Sequence, residues 1–543
     1  MYDYEDFEDE TLQGDLLRGV EGRRPGEEKT PQAYWASPDD ILGNTKLHFD
    51  PEASGAQIFL GEIKDQLIGV ADDRHIVTVA GSRAGKGVSA LIPNLLTYRG
   101  SVLAIDPKGE LACITSEQRR KGLGQTVKIL DPFERLAEVP WAKDFRCSYN
   151  PLSILFPPAN ENTPNGLYSA EQVKLKKTAV EDAGLIADAL VIPGEGDTHW
   201  DDSARNLLEG LILHVATCPA YAMYRDLVTV HRVLMSGATY EDEEEADPDK
   251  RLKEGMDGLK HQMEASARML RGIDKNVSEA VAFSAADFFD KPERERDSVL
   301  STARRHVRFI GFQSMQNVLC SHDLDLTELK TRPEGLTVYL CLPATRLATC
   351  SRWLRLFVNL CLDAMERVPQ PEGAPPVLMA LDEFAVMGRL KQLGEAAGQI
   401  AGFGVKLWPV LQDLTQLKAL YAERWETFLG NAGILQFFGN SDITTLELIE
   451  KRLGQTTISV AHKSEVATQA RLEGISGQSY NQQVQSLMTP QEIAQSFARD
   501  AENSRQLIIR ASQEPPMILK RIRYYEHPAF KDKARDCPKD TTE

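Results

Sequence analysis

Lys86 closes the stretch Ala80-Gly-Ser-Arg-Ala-Gly85, between the apolar run His75-Ile-Val-Thr-Val-Ala80 and a helical pattern from Val88 to Leu96. An amine in that setting is suited to hold phosphate. Glycines let successive backbone N–H groups close around phosphate oxygens, the helix start adds the positive end of its dipole, and the lysine supplies a full charge. On this reading the binding residues are Gly81, Ser82, Arg83, Ala84, Gly85, Lys86, Gly87 and Val88. Two positions depart from the usual spacing. Ala80 stands where the opening glycine is expected, with Gly81 one place late, and Gly87 replaces the hydroxyl residue that would ligate Mg2+. Ser89 is the nearest downstream hydroxyl, at a spacing wrong for that role. Taken alone, the peptide also fits a glycine-rich turn after a strand.

A second set of reactive groups ends the run Val377-Leu-Met-Ala-Leu381, where Asp382 and Glu383 follow five apolar residues. A buried strand that delivers two adjacent carboxylates suits an Mg2+-dependent phosphate chemistry, with Asp382 organising the metal shell and Glu383 polarising the attacking water. A third group, Gln412, ends Val405-Lys-Leu-Trp-Pro-Val-Leu411 and is placed to hydrogen-bond a γ-phosphate or the lytic water. The three together point to a nucleoside triphosphate as the bound molecule, Mg2+ as its partner ion, and hydrolysis as the reaction, with Lys86, Glu383 and Gln412 catalytic. Asp106, in Ile105-Asp-Pro-Lys-Gly-Glu110, either lines the same cleft or forms a turn, since Asp-Pro and Lys-Gly both punctuate turns.

The elements that must position these groups are short apolar strands alternating with helices. Besides those named, Ser101–Asp106, Val127–Asp131, Leu336–Leu342, Ile434–Phe438, Leu507–Arg510 and Ile518–Tyr525 read as strands. Near-continuous apolar strands between helices predict a parallel sheet covered on both faces, and hence an α/β fold. From about 155 to 335 the strand rhythm stops. Ser169–Leu190, Asp201–Thr217, Arg251–Arg271 and Glu293–Leu319 carry apolar residues at helical spacing instead. The expected division is an acidic flexible arm over 1–50 and the first part of a nucleotide-binding domain over 51–154. An inserted all-α domain follows over 155–335, then the second part of the nucleotide-binding domain over 336–530 and a tail over 531–543.

Composition narrows the class further. Apolar residues at 42% and charged residues at 26% suit a globular chain, and 543 residues suffice for a large core. No apolar run reaches the ~18 residues of a membrane span. The acidic start, MYDYEDFEDE, is unlike a basic signal or transit peptide. Eight cysteines without a CxxC pair predict buried thiols in a reducing compartment, neither bridges nor zinc. The net charge of −18 is concentrated in part at residues 1–15 and Glu241–Asp249, so contact with DNA is expected to be local, as in a lined channel. The basic groups Lys174, Lys176 and Lys177, and Arg304, Arg305 and Arg308, are candidates for phosphate contact on helices of the insert, or else solvated faces. Trp200 and Trp353 read as core residues of amphipathic helices.

Beyond these single features, the chain resembles the type IV coupling proteins, the TraG-like conjugative DNA transfer ATPases related to the FtsK and HerA motors. The resemblance runs from about 58 to 530. It is carried by Gly81-Ser-Arg-Ala-Gly-Lys-Gly-Val88 leading into Ile92-Pro93, Gly100-Ser-Val-Leu-Ala-Ile-Asp-Pro-Lys-Gly-Glu110, Leu130-Asp-Pro-Phe133 and Tyr149-Asn-Pro-Leu152. It continues through His199-Trp-Asp-Asp-Ser-Ala-Arg205, Val338-Tyr-Leu-Cys-Leu-Pro343, Leu381-Asp-Glu-Phe384, Gln412-Asp-Leu-Thr-Gln-Leu417, Gly430-Asn-Ala-Gly433 and Leu487-Met-Thr-Pro-Gln-Glu492. Many members of that family also have glycine after the loop lysine.

The resemblance implies a RecA-like P-loop ATPase that assembles as a hexameric ring around a channel. It implies recruitment of a relaxase–DNA complex or protein effectors and their delivery to a type IV secretion channel. Lys86 then binds phosphates, Asp382 and Glu383 serve Mg2+ and water, and Gln412 stands in the motif after the paired carboxylates. Family members usually begin with transmembrane helices, which this sequence lacks. Starting at Met1 with an acidic arm, it is expected to be cytoplasmic and peripheral to the bacterial inner membrane, held there only through partners. The arginine that would enter a neighbouring subunit's site is unassigned, with Arg389 and Arg424 as candidates and Lys391 and Lys406 nearby. Two other functions fit the same motifs: a nucleotide-binding receptor or adaptor with negligible hydrolysis, and a DNA-translocating motor of another mobile-element or defence system.

Overall fold

The computed structural model describes residues 32–53, 55–157, 174–194, 198–237, 248–390, 393, 398–463, 478–500, 504–510 and 514–538. The acidic arm to residue 31, most of the Glu241–Asp249 acidic run, Lys391 and the last five residues lie outside them.

An eleven-stranded sheet forms the frame, in the order β2-β1-β13-β12-β9-β3-β8-β7-β4-β6-β5. Its parallel part is built from β3 (His75–Ala80), β4 (Val102–Asp106), β5 (Thr126–Leu130), β6 (Leu336–Cys341), β7 (Val377–Leu381), β8 (Val405–Leu411) and β9 (Ala432–Phe438). An antiparallel wing of β12 (Arg505–Arg510), β13 (Met517–Lys520), β1 (Ile58–Ile63) and β2 (Gln66–Val70) continues from β9, while β10 (Gln455–Lys463) and β11 (Gln478–Ser486) pair with each other outside this sheet. Every residue of β3, β4, β6, β7, β8 and β9 is buried, the signature of a parallel sheet covered on both faces.

Successive residues along each strand point to opposite faces. Val77, Val79, Leu103, Ile105, Met379 and Leu381 join one apolar core, while Ile76, Val102, Ala104, Leu378 and Ala380 join the other. The first core runs without a break from the sheet through helix Ala344–Arg367 into the inserted helices, where Ile186, Leu208, Leu211 and Phe288 belong to it. Among the described residues of 155–335 the elements are helices and no strand, and they share the sheet's core. The insert holds Ala179–Leu190, His199–Thr217, Leu227–Ser236, Pro248–Leu270, Lys275–Phe289, Glu293–Val307 and Gln313–Leu319. The single helix expected over Glu293–Leu319 is broken by a 3-10 turn ending at Gly311.

Four other expectations are corrected. Residues 32–50 are not all free arm: Ile41, Leu47 and Phe49 are buried, and the Phe49 N–H donates to the Leu67 carbonyl at 3.0 Å. The tail expected over 531–543 is anchored in its described part, where Cys537 is buried and the Arg535 N–H donates to the Ile114 carbonyl at 3.1 Å. The strand expected over Ile518–Tyr525 stops at Lys520. Finally, Cys113 and Cys537 form a disulfide across 424 residues, with Cα atoms 5.7 Å apart, where thiols alone were expected. The other six cysteines are in no disulfide, and five of them are buried. Among the described residues no helix is long and apolar enough to cross a membrane.

Candidate functional site

In the sheet, β3, β8 and β7 lie side by side and point the same way, so the loop at 81–87, Gln412 and the Asp382–Glu383 pair emerge at one edge. Ligands of open parallel sheets bind at this carboxyl end. The lysine reaches across to the carboxylates: Lys86 Nζ is 2.6 Å from Glu383 Oε1 and 3.0 Å from Asp382 Oδ1. Gln412 Nε2 donates to the other oxygen, Glu383 Oε2, at 3.3 Å. All four predicted catalytic and metal residues are thus brought into one contact group.

Burial lowers the Lys86 ammonium, but the two carboxylates outweigh it and raise the group overall, so it is held charged. Burial raises the Asp382 carboxyl, and the like charge of Glu383 adds to this against the pull of Lys86. Glu383 sits in the left-handed region, φ 54° and ψ 41°, with its N–H on Asp382 Oδ1 at 3.0 Å. A non-glycine residue held there carries strain, and such strain concentrates at functional turns.

The loop explains its own departures from the usual spacing. Ala80 is the last buried residue of β3, whereas Gly81 crosses the end of β9, where a Cβ would meet the Gly439 carbonyl oxygen at 1.9 Å. The glycine is needed one place late because that is where the backbones touch. Arg83 at φ 56° and Gly85 at φ 89° alternate with neighbours of negative φ, a backbone pattern that turns N–H groups into an anion-binding concavity. The N–H of Gly85 has no acceptor among the described residues. At Gly87 a Cβ would meet nothing within 4 Å, so no steric demand keeps a side chain out. Ser89 Oγ donates to the Gly85 carbonyl at 2.9 Å and is used inside the turn, in keeping with its unsuitable spacing.

These residues fit a nucleotide triphosphate with Mg2+: a backbone concavity, a lysine and one metal-side carboxylate at a strand end. Among the described residues no group of three His, Cys, Asp or Glu side chains could hold a metal ion unaided. That suits Mg2+, which is commonly held by one or two carboxylates together with phosphate oxygens.

Other candidates resolve differently. Asp106 is a buried cap: it accepts from the N–H groups of Gly109 and Ala112, both at 2.8 Å, and burial pushes its carboxyl up to about 7. Lys174, Lys176 and Lys177 precede helix Ala179–Leu190 and are not on it. Arg304 is committed to the carbonyls of Leu234 and Met235, at 3.1 and 2.8 Å, ending helix Leu227–Ser236. Arg305 pairs with Asp201 at 3.3 Å but stays exposed, as does Arg308. Trp353 is fully buried as expected, but Trp200 is 36% exposed. Arg389 and Arg424 are both exposed. Lys406 is buried, with its amine on the Asp72 carbonyl, and so is no candidate for reaching a neighbour.

One residue at the site carried no signal in the sequence. Arg521, just past β13, is buried and donates to the Ala84 carbonyl of the loop at 2.6 Å. The run Ile518–Tyr525 reads as a single strand, so nothing marked Arg521 as different from its neighbours.

A phosphate loop after one parallel strand, with paired carboxylates two strands away and a glutamine on the strand between, defines a RecA-like P-loop nucleotide-binding fold carrying an all-α insertion. The chain matches the family described as "Type IV secretory system Conjugative DNA transfer" over residues 44–542, and it belongs to that family. It is 26% identical over 491 residues to the conjugal transfer protein TraG of Escherichia coli, covering 85% of this chain and 68% of TraG. It is 26% identical over 460 residues to the protein VirD4 of Agrobacterium fabrum, covering 83% of this chain and 58% of VirD4. Among solved structures it resembles the bacterial conjugative coupling protein TrwBdeltaN70 in complex with sulphate. The TM-score is 0.58 at 15% identity, covering 94% of this chain and 99% of that one. The plasmid coupling protein TrwB in complex with ADP and Mg2+ matches at TM-score 0.56 and 15% identity, covering 93% and 98%.

Proposed function

We propose that the protein is an ATP-hydrolysing coupling motor that recruits a relaxase–DNA complex or protein substrates and passes them to a type IV secretion channel. The observation that carries the hydrolytic part is the contact group of Lys86, Asp382, Glu383 and Gln412 at the carboxyl edge of the sheet. Family membership and the likeness to TraG support the transfer role, and the Mg2+–ADP complex of TrwB supports the choice of nucleotide.

In this reading the backbone from Gly81 to Val88 cradles the phosphates and Lys86 moves from the carboxylates to them. Asp382 holds the Mg2+ shell; Mg2+, when bound, neutralises charge on the phosphate oxygens. Glu383 orients and polarises the attacking water, and Gln412, bonded to Glu383 Oε2, holds that carboxylate in position. Six copies form a ring whose sites are completed by an arginine from the neighbouring subunit, with Arg389 and Arg424 exposed and available. The ring works at the cytoplasmic face of the inner membrane, and its association with the membrane runs through partner proteins of the secretion channel.

Steady-state Mg-ATP hydrolysis, with and without single- and double-stranded DNA, tests this for the wild type beside Lys86→Ala and Glu383→Gln. Turnover that rises with DNA and disappears in both variants is expected. Nucleotide binding with no turnover above the variants would overturn the motor and leave a receptor.

A further inference from the structure

Arg521 joins two parts of the chain that are far apart in sequence. Its Nη1 donates to the carbonyl of Ala84 at 2.6 Å, and its Nη2 to the carbonyls of Arg499 at 3.2 Å and Ala498 at 3.4 Å. The guanidinium lies over the Phe438 ring, 4.9 Å from its centre, at the end of the strand beside β3. The residue is only 8% exposed, and its Nε has no hydrogen-bond partner among the described residues. Burying a cation on carbonyls and a ring costs stability unless something else is gained.

Peptide geometry shows what is gained. In a trans peptide the C=O and the following N–H point in opposite directions. A carbonyl of Ala84 fixed on Arg521 therefore turns the N–H of Gly85 away from Arg521. That N–H, like those of Ser82, Arg83, Lys86 and Gly87, has no acceptor among the described residues, and it lies between the left-handed Arg83 and the lysine.

We propose that Arg521 is a positioning residue of the nucleotide site, which sets the Ala84–Gly85 peptide for phosphate and ties its orientation to the C-terminal segment through Ala498 and Arg499. This rests on the reading that the loop binds nucleotide phosphate. Arg521 acts through the backbone of Ala84 and touches no phosphate itself. Because it enters from the C-terminal wing, a shift of residues 498–499 or of the end of β13 is transmitted to the loop.

Equilibrium binding of a fluorescent ADP analogue with Mg2+, beside melting temperature, tests this for wild type, Arg521→Ala, Arg521→Lys and Lys86→Ala. Loss of one oriented amide–phosphate contact is expected to weaken binding about tenfold in Arg521→Ala, with Arg521→Lys in between. Millimolar guanidinium ion should restore Arg521→Ala and leave Lys86→Ala unchanged, a response that general loosening of the fold does not give. Affinity of Arg521→Ala within about twofold of wild type overturns the inference. Weakened binding that guanidinium does not restore, with lysine no better than alanine, also overturns it. Should Arg521→Ala fail to fold, Arg521→Lys decides, because it keeps the charge and one donor: wild-type affinity there counts against the role and partial affinity supports it. A wild type that binds no nucleotide removes the ATP reading itself, and this inference with it.

Discussion

Lys86 Nζ and Glu383 Oε1 are 2.6 Å apart, so the cation that should meet phosphate and the carboxylate that should meet water hold each other directly. The contact is buried enough to matter: the two side chains are 18% and 25% exposed. On the proposed function, phosphate competes with both carboxylates for the same ammonium, which couples binding to the placement of Glu383 as general base.

Glu383→Gln should therefore separate affinity from turnover. The variant removes one of the two negative partners of Lys86 and leaves the amide able to bond Gln412. ATP binding should be retained or tightened, while hydrolysis falls by about 10²-fold or more, the usual contribution of a general base. Lys86→Ala should lose binding itself and leave Asp382 and Glu383 facing each other without a cation. Single-turnover hydrolysis beside equilibrium binding reads both. Equal loss of affinity in the two variants would show that the ion pair does not restrain the lysine.

The two loop glycines should respond in opposite ways. A methyl group at Gly81 would fall 1.9 Å from the Gly439 carbonyl oxygen, and no side chain can move to relieve a clash with backbone. Gly81→Ala should cost at least about 2 kcal/mol or displace the loop and abolish nucleotide binding. Gly87 faces open space, so Gly87→Ser should leave stability within about 0.5 kcal/mol. It also places a hydroxyl directly after Lys86, where a metal ligand is usual. The Mg2+ concentration for half-maximal hydrolysis should then fall; a marked drop in melting temperature would contradict the open space at that position.

Much of the frame was legible because the parallel strands are apolar along their whole length and are buried on both faces. Leu381-Asp382-Glu383 shows why the site followed: once the strand is placed, its end and its two carboxylates are placed too. The polar hairpin of Gln455–Lys463 and Gln478–Ser486 was invisible because it stands outside the main sheet and its Thr, Ser and Gln give no apolar alternation. Arg304 looked like a phosphate contact because a row of cations on a helix does not reveal that one of them ends a different helix, 70 residues earlier. Arg521 and the Cys113–Cys537 pair depend on contacts across the whole chain, to which local spacing is blind.

Thiol titration checks the cysteine pair directly. The denatured, unreduced protein should give six thiols of the eight cysteines, and all eight after reduction. Helix Glu110–Glu117 and the C-terminal segment are also joined by an Arg535–Glu117 ion pair and by the Arg535 N–H on the Ile114 carbonyl at 3.1 Å. The segment should therefore stay docked when reduced. Reduction should still lower the melting temperature, because a cross-link spanning 424 residues no longer restricts the unfolded chain. Eight thiols before reduction would dismiss the bridge.

Asp106 gives the protein a pH dependence whose sign is fixed by its surroundings. Burial pushes its carboxyl up to about 7, against the help of the Gly109 and Ala112 N–H groups, while in the unfolded chain it titrates near its ordinary value of about 4. Between those values the folded protein keeps a proton that the unfolded chain has released. Stability from this group is therefore complete below about pH 4 and is lost as pH rises through about 7. His214 works the other way: burial lowers its imidazole to about 4, so its contribution is lost as pH falls. The two slopes overlap, and only a comparison isolates one of them. Asp106→Asn removes the titrating group while keeping one of the two acceptors, at a cost of about 1 kcal/mol that does not vary with pH. The wild type should lose melting temperature relative to Asp106→Asn as pH is raised from 5 to 8, and parallel curves would show that Asp106 is ionised throughout.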